Sequence, residues 1–300
     1  MEFGVFGLPG NVTSFYDGID YAAEVGFDAV EPSRGREFNG SLADMLEAAK
    51  RVKEHAAEKN IRLSCFSECV DIVTESKAAA TMEALRDHAK VTAALGIPYL
   101  HHTILPGCNH LAWGNKKFDE LLAIAVKNIR DIYDYAEALG VKVVYEDQGF
   151  TFNGGERFER LLNAVDRDIK VVADLGNIMF VDEDPVDFVG RFAPHIVHVH
   201  VKDYIRKSAY GNDPGKDGGW YTTRRGDYLR GTIVGHGSID YVACCKILIS
   251  AGYTGSFSLE YCGLEEGLSG RIQSMRNFRR YYAQAEAELG KGSVSAVPFT

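Results

Sequence analysis

The sequence predicts one α/β domain, a single (β/α)8 TIM barrel, on three observations. Eight short runs rich in β-branched and aromatic residues recur along the 300 residues, separated by amphipathic stretches of helical period. The runs are spread evenly, with no linker between halves. No G-x-G-x-x-G follows the first run, so an open dinucleotide-binding sheet lacks its fingerprint. Regular strand–helix alternation means a parallel sheet covered by helices. Eight units favour closure over an open doubly wound sheet.

The strand candidates are residues 3–8, 29–32, 62–66, 99–103, 142–146, 170–174, 196–201 and 256–260. Between them, Ser41 with Asp44 three residues on is a capping signal that opens a helix reaching about Lys59. Residues 79–95 and 118–139 are long stretches of good helix formers, stopped by Gly96 and Gly140. Asp184-Pro185 reads as N-cap and first helical residue. Ser238 caps residues 239–250, which Gly252 closes, and 271–289 form the last helix. Residues 204–234 lack an apolar period and are rich in Gly, Asp, Arg and Tyr, the composition of a long loop leaving strand seven. Loops of that length are usually functional or mobile. Residues 291–300 read as a tail, so residues 1–300 make one catalytic domain.

Composition narrows the function. The net charge of −9 argues against a nucleic-acid partner, which needs an excess of Lys and Arg, and weighs against an anionic membrane. No window is apolar enough to span a bilayer. The first residues enter a strand at once, with no basic region followed by an apolar run, so no signal peptide is expected. Six cysteines (Cys65, Cys69, Cys108, Cys244, Cys245 and Cys262) form no C-x-x-C pair, the usage of reduced thiols in a cytoplasmic protein.

In such a barrel the chemistry stands at the C-terminal ends of the strands. Strand five ends in Glu146, strand six in Asp174, strand seven carries His198 and His200, and strand eight ends in Glu260. Acids at strand ends also cap helices or pair with Lys and Arg, but four adjacent strands delivering an acid or imidazole at one level favour a shared ion. Buried carboxylates that converge repel one another, and a divalent cation removes the repulsion. Three oxygen ligands and one imidazole suit one Mn²⁺ best, with Mg²⁺, Co²⁺, Fe²⁺ or Zn²⁺ also compatible. Of the two histidines, the outer His200 is the better ligand, which leaves His198 a supporting role.

Glu146, Asp174, the run His198-Val199-His200-Val201-Lys202-Asp203, the run Gly235-His236-Gly237-Ser238-Ile239-Asp240, and Glu260 together resemble the sugar isomerase/epimerase superfamily of xylose-isomerase-like barrels. The resemblance implies a small carbohydrate substrate and proton transfer next to a carbonyl through an enediolate, with Glu146 and Glu260 as general base and acid. It also admits a lyase on a 3-oxo sugar, like the inosose dehydratases or the large subunit of a C-glycoside deglycosidase. The latter works with a small accessory subunit of about 15 kDa; a homo-oligomer is the other assembly expected. Where the family often has Asp-x-x-His, this chain has Asp174-Leu175-Gly176-Asn177. The missing histidine counts against a multi-zinc nuclease and leaves Asn177 at a substrate-contacting position.

Further polar residues are expected at the same mouth: His102 at the end of strand four, Lys202 and Asp203 pairing with each other or binding hydroxyls, His236 in its Gly-flanked turn, and Arg230 with Trp220 in the long loop. Glu31 and Glu68, after strands two and three, bind hydroxyls or cap helices.

Overall fold

The structure is a computed structural model and describes residues 1–10, 12–107, 115–211, 213–215 and 218–291. Cys108 and the tail from residue 292 onward lie outside the described residues; Lys291 ends the last helix. The strands are β1 (Glu2–Phe6), β2 (Ala29–Val30), β3 (Arg62–Leu63), β4 (Phe66–Glu68), β5 (Tyr99–His102), β6 (Lys142–Glu146), β7 (Lys170–Asp174), β8 (Ile196–Val201), β9 (Asp203–Lys207), β10 (Trp220–Thr222), β11 (Tyr228–Thr232) and β12 (Ser256–Glu260). The helices are α1 (Phe15–Val25), α2 (Leu42–Glu58), α3 (Glu75–Leu95), α4 (Asn115–Glu137), α5 (Gly155–Val165), α6 (Pro185–Phe192), α7 (Tyr241–Ser250) and α8 (Gly267–Lys291).

Nine strands make eight staves because the third stave is broken. β3 pairs with β2 and β4 pairs with β5, so the parallel sheet runs β3-β2-β1-β12-β8-β7-β6-β5-β4. A parallel bridge between Ser33 and Ser67 joins its two ends. The barrel is thereby nearly closed, as the sequence predicts.

Most strands of the barrel are buried on both faces. Phe3, Val5, Val143, Tyr145, Val171, Ala173, Val199, Val201, Phe257 and Leu259 join the helices in one large core; Phe3, for example, stacks on Phe278 of α8 at 4.8 Å. The intervening residues point down the barrel axis. There Cys65, Val144 and Val172 form a separate small apolar plug. Above that plug the axis is lined by buried polar groups. No helix among the described residues is long and apolar enough to cross a membrane.

Local chemistry explains most boundaries. The Ser41 side chain accepts from the Asp44 amide and the Asp184 side chain from the Val186 amide, as their sequences suggest. α7 differs: it begins at Tyr241, capped by Asp240 rather than Ser238, whose amide donates to Tyr204 O. α3 and α8 each begin one turn before the expected start. α1 and α5 have no counterpart among the expected helices. Ser14 caps α1 and Gly26 ends it at φ 92°, in the left-handed region open to glycine.

The largest correction concerns residues 204–234. Across that stretch Asp203–Lys207, Trp220–Thr222 and Tyr228–Thr232 pair as an antiparallel sheet, β10-β11-β9, where the sequence predicts one irregular loop. Three- to five-residue strands are too short to show a period in sequence, and Gly226 and its neighbours mask the pattern.

Candidate metal centre

Parity places the site. Asp174 on β7 is level with His200 on β8, and His200 with Ser258 on β12, two residues before Glu260. Side chains alternate along a strand, so Asp174, His200 and Glu260 share the inner face. Glu146 lies two residues beyond Val144, a member of the axial plug. One ligand atom from each of Glu146, Asp174, His200 and Glu260 can be chosen so that all lie within 4.8 Å of one another.

His200 Nδ1 is the centre of that group. It lies 3.1 Å from Glu146 Oε1, 3.6 Å from Glu260 Oε2 and 3.8 Å from Asp174 Oδ2. Asp174 Oδ1 is occupied by the amides of Gly176 and Asn177 at 2.8 and 2.9 Å, so Oδ2 is the oxygen facing the cluster. The Asp174 amide in turn donates to Asp147 Oδ1. Glu146, Asp174 and His200 are buried, whereas the Glu260 side chain is 32% exposed and marks the opening.

The donor set fits a divalent cation. Two carboxylates this close repel by on the order of 3 kcal/mol at an effective dielectric of ~20, more than a typical hydrogen bond returns. Burial, with Glu146 and Glu260 adding like charge against the pull of Lys202, pushes the Asp174 carboxyl well above its usual range. Part of the missing positive charge comes from Lys202. Its Nζ lies 2.6 Å from both Asp174 Oδ2 and Glu260 Oε2. Burial disfavours that ammonium, but Asp174 and Glu260 outweigh it and hold the pKa well above the usual lysine value. Gly176 makes room for the Lys202 stem; a Cβ there would meet Lys202 Cγ and the Tyr204 ring.

Beneath the cluster lies a second buried layer. Glu31 Oε2 is 2.7 Å from His198 Nε2, and its Oε1 is 3.0 Å from His200 Nε2 and accepts from Ser67 Oγ. Ser67 Oγ is 3.1 Å from His101 Nδ1, and His101 Nε2 is 3.3 Å from Glu146 Oε2. Burial opposes ionisation of Glu31, but His200 and His198 overcome it and hold the carboxyl well below its usual range. Glu146 is likewise lowered: burial is outweighed by His101 and His200.

The expected substrate contacts divide. Asn177 and Lys202 belong to the cluster: Asn177 Nδ2 donates to Glu146 Oε1 at 3.0 Å, and its Oδ1 is 3.4 Å from Lys202 Nζ. His102 does not. It faces outward, accepting from the Tyr145 hydroxyl and donating to Thr103 O, both at 2.9 Å. His101 takes the inward place, because it is level with Val144. Asp203 is fastened to the amides of Tyr204, Gly235 and Gly237, and so holds the turn before α7 instead of binding Lys202 or a hydroxyl. His236 is exposed beside Gln273 of α8. Arg230 stacks on Trp220 in the inserted sheet at 5.3 Å. Glu68 is buried against His88, at 2.8 Å, rather than capping a helix. The inner-layer residues Glu31, Ser67 and His101 were not singled out together in sequence; counting alternate residues back from each strand end is the signal that finds them.

Comparisons with known proteins bear on the fold and the family. The profile of the family described as xylose isomerase-like TIM barrel matches residues 19–281. An inosose dehydratase of Clostridium botulinum is 27% identical over 167 residues, 53% of this chain and 49% of that protein. The chain thus spans about half the length of that curated relative. A D-tagatose 3-epimerase-like protein superposes with a TM-score of 0.71 at 19% identity, covering 96% of this chain and all (100%) of the other. A xylose isomerase-like barrel protein from Mycobacterium smegmatis, solved in complex with magnesium, gives 0.68 at 16% identity, over 93% and 90% of the two chains. At these identities the solved structures speak for the fold. With the profile covering most of its length, the chain belongs to the xylose isomerase-like TIM barrel family.

Proposed function

We propose that this chain is a divalent-metal-dependent isomerase or epimerase of a sugar or sugar derivative, acting by proton abstraction next to a carbonyl. The observation that carries the proposal is the convergence of Glu146, Asp174, His200 and Glu260 at the C-terminal mouth of the barrel. These four residues would hold one ion, Mn²⁺ by preference on their donor chemistry, with Mg²⁺, Co²⁺, Fe²⁺ or Zn²⁺ compatible. Such an ion supplies Lewis-acid polarisation of a bound carbonyl.

The chain's own groups do the proton work. Glu146, held ionised against its burial by His101 and His200, takes the proton from the carbon next to the carbonyl, leaving an enediolate. Glu260, at the opening, delivers a proton taken up from solvent to the opposite face for epimerisation, and Glu146 then releases its proton to solvent, which resets the pair. Lys202 and Asn177 donate hydrogen bonds to substrate oxygens as negative charge develops there.

A lyase is the second reading, favoured by the inosose dehydratase relatives. The same abstraction in a 3-oxo sugar expels a β-substituent, which must leave with a proton. The discriminating experiment incubates the Mn²⁺-loaded protein in D₂O with ketoses and with 3-oxo glucosides. The isomerase reading expects deuterium at the carbon next to the carbonyl and no loss of water or aglycone. Release of either moves the assignment to the lyase, and inertness toward every substrate in both panels rejects the two together.

A further inference from the structure

Glu31 lies outside the four-ligand cluster, yet it is one of the most buried ionised groups described, 1% exposed. Its oxygens are already partnered by His198 Nε2, His200 Nε2 and Ser67 Oγ. A carboxylate accepts and does not donate, so both imidazoles must present N–H to it. For His200 the consequence reaches the cluster. With Nε2 kept as the donor to Glu31, the nitrogen left for a cation is Nδ1, the one faced by Glu146, Asp174 and Glu260; an ion there would displace the Nδ1 proton that Glu146 Oε1 otherwise accepts. The two ring nitrogens point to opposite sides, so Glu31 and the ligand cluster lie on opposite sides of one imidazole.

Glu31 also reaches the cluster by a second path. Ser67 and His101 link it to Glu146 Oε2, while His200 links it to Glu146 Oε1. The five groups Glu31, Ser67, His101, Glu146 and His200 close a ring, all of them buried.

We infer that Glu31 is a positioning residue: it locks His200 in the Nε2–H form and so makes Nδ1 the metal-ligating atom, without touching the ion itself. This inference rests on the metal-centre reading above. Glu31→Gln keeps the shape but has one acceptor oxygen for two imidazoles, and its amide NH₂ must face one of them. Facing His200, it demands an unprotonated Nε2 and moves the proton to Nδ1, where the ion would bind.

The test uses the full chain. Mn²⁺ titrations compare the unaltered protein with Glu31→Gln, with circular dichroism to check the fold. The expected result is one Mn²⁺ per chain and a 10- to 100-fold weaker Kd in the variant, the range typical of lost outer-sphere partners, about 10–100-fold. Binding that survives Glu31→Gln within twofold overturns the inference and leaves the metal reading intact; no Mn²⁺ binding by the unaltered chain overturns both. A second ion per chain that Glu31→Gln removes would make Glu31 a ligand, also against the inference. Should the variant fail to fold, histidine ¹⁵N spectra of the unaltered Zn²⁺-loaded chain decide. They are expected to show His200 protonated on Nε2 and metal-shifted on Nδ1, and ligation through Nε2 overturns the inference.

Discussion

Lys202 Nζ lies 2.6 Å from Glu260 Oε2, and the same nitrogen is 2.6 Å from Asp174 Oδ2. One buried ammonium thus bridges two of the four carboxylate and imidazole groups proposed to hold the ion. Lys202→Met leaves those carboxylates without their counter-charge, and breaking a buried pair typically costs about 3–5 kcal/mol. The metal-free variant should therefore melt well below the metal-free parent, while saturating Mn²⁺ recovers most of the loss. Differential scanning calorimetry with and without Mn²⁺ reads this. Equal losses in both conditions would mean that Lys202 and the ion do not share these carboxylates.

Glu260 is the most exposed of the four, so its role separates from its contribution to folding. Glu260→Gln is expected to reduce turnover by about 10²–10⁴, the range for a positioned acid–base group, with a change in melting temperature of only a few degrees. Steady-state kinetics beside a thermal melt checks both, and a variant with near-parental turnover removes Glu260 from the mechanism.

The proposed centre predicts a linkage between ion and stability. A ligand at about 100 times its Kd stabilises the folded state by about 2.7 kcal/mol. Dialysis against a chelator should silence the enzyme, lower its melting temperature and leave a chain that recovers both on adding one equivalent of Mn²⁺. Elemental analysis of the untreated protein is expected to find close to one divalent ion per chain; three zinc ions would point instead to a nuclease-type centre.

His102 gives a pH signature independent of the metal. Burial lowers its pKa from 6.5 to about 4. Between those values the unfolded chain takes up a proton that the folded chain refuses, so stability drops as pH falls through this window and the His102 contribution levels off below about pH 4. At 1.36 kcal/mol per unit the full effect is about 3 kcal/mol. Urea unfolding at pH 7 and pH 4.5 should show the parent losing more stability than His102→Gln, which has no proton to gain. Matching pH profiles would remove His102 as the source.

How much was legible in the sequence follows from the range of each signal. Glu146, Asp174, His200 and Glu260 could be found one strand at a time, because an acid or histidine closing an apolar run is a local pattern. The inward choice of His101 over His102 needed the register of β5 against β6, in which His101 is level with Val144. The sheet at β9–β11 escaped because its strands are only three to five residues long, too short to show an alternating period. The contacts of Asp203 with the Gly235 and Gly237 amides are invisible in sequence because those partners are more than thirty residues away.

The sequence by itself determined the alternation of strands and helices, and hence the barrel and the four strand ends that face its mouth. That much follows from side-chain periodicity, which acts over a few residues. Only the tertiary structure decided that Glu31 sits under His200 and that Lys202 bridges Asp174 and Glu260. Those contacts join residues from different staves, and their energies depend on burial and on distances of about 3 Å, which no local pattern encodes.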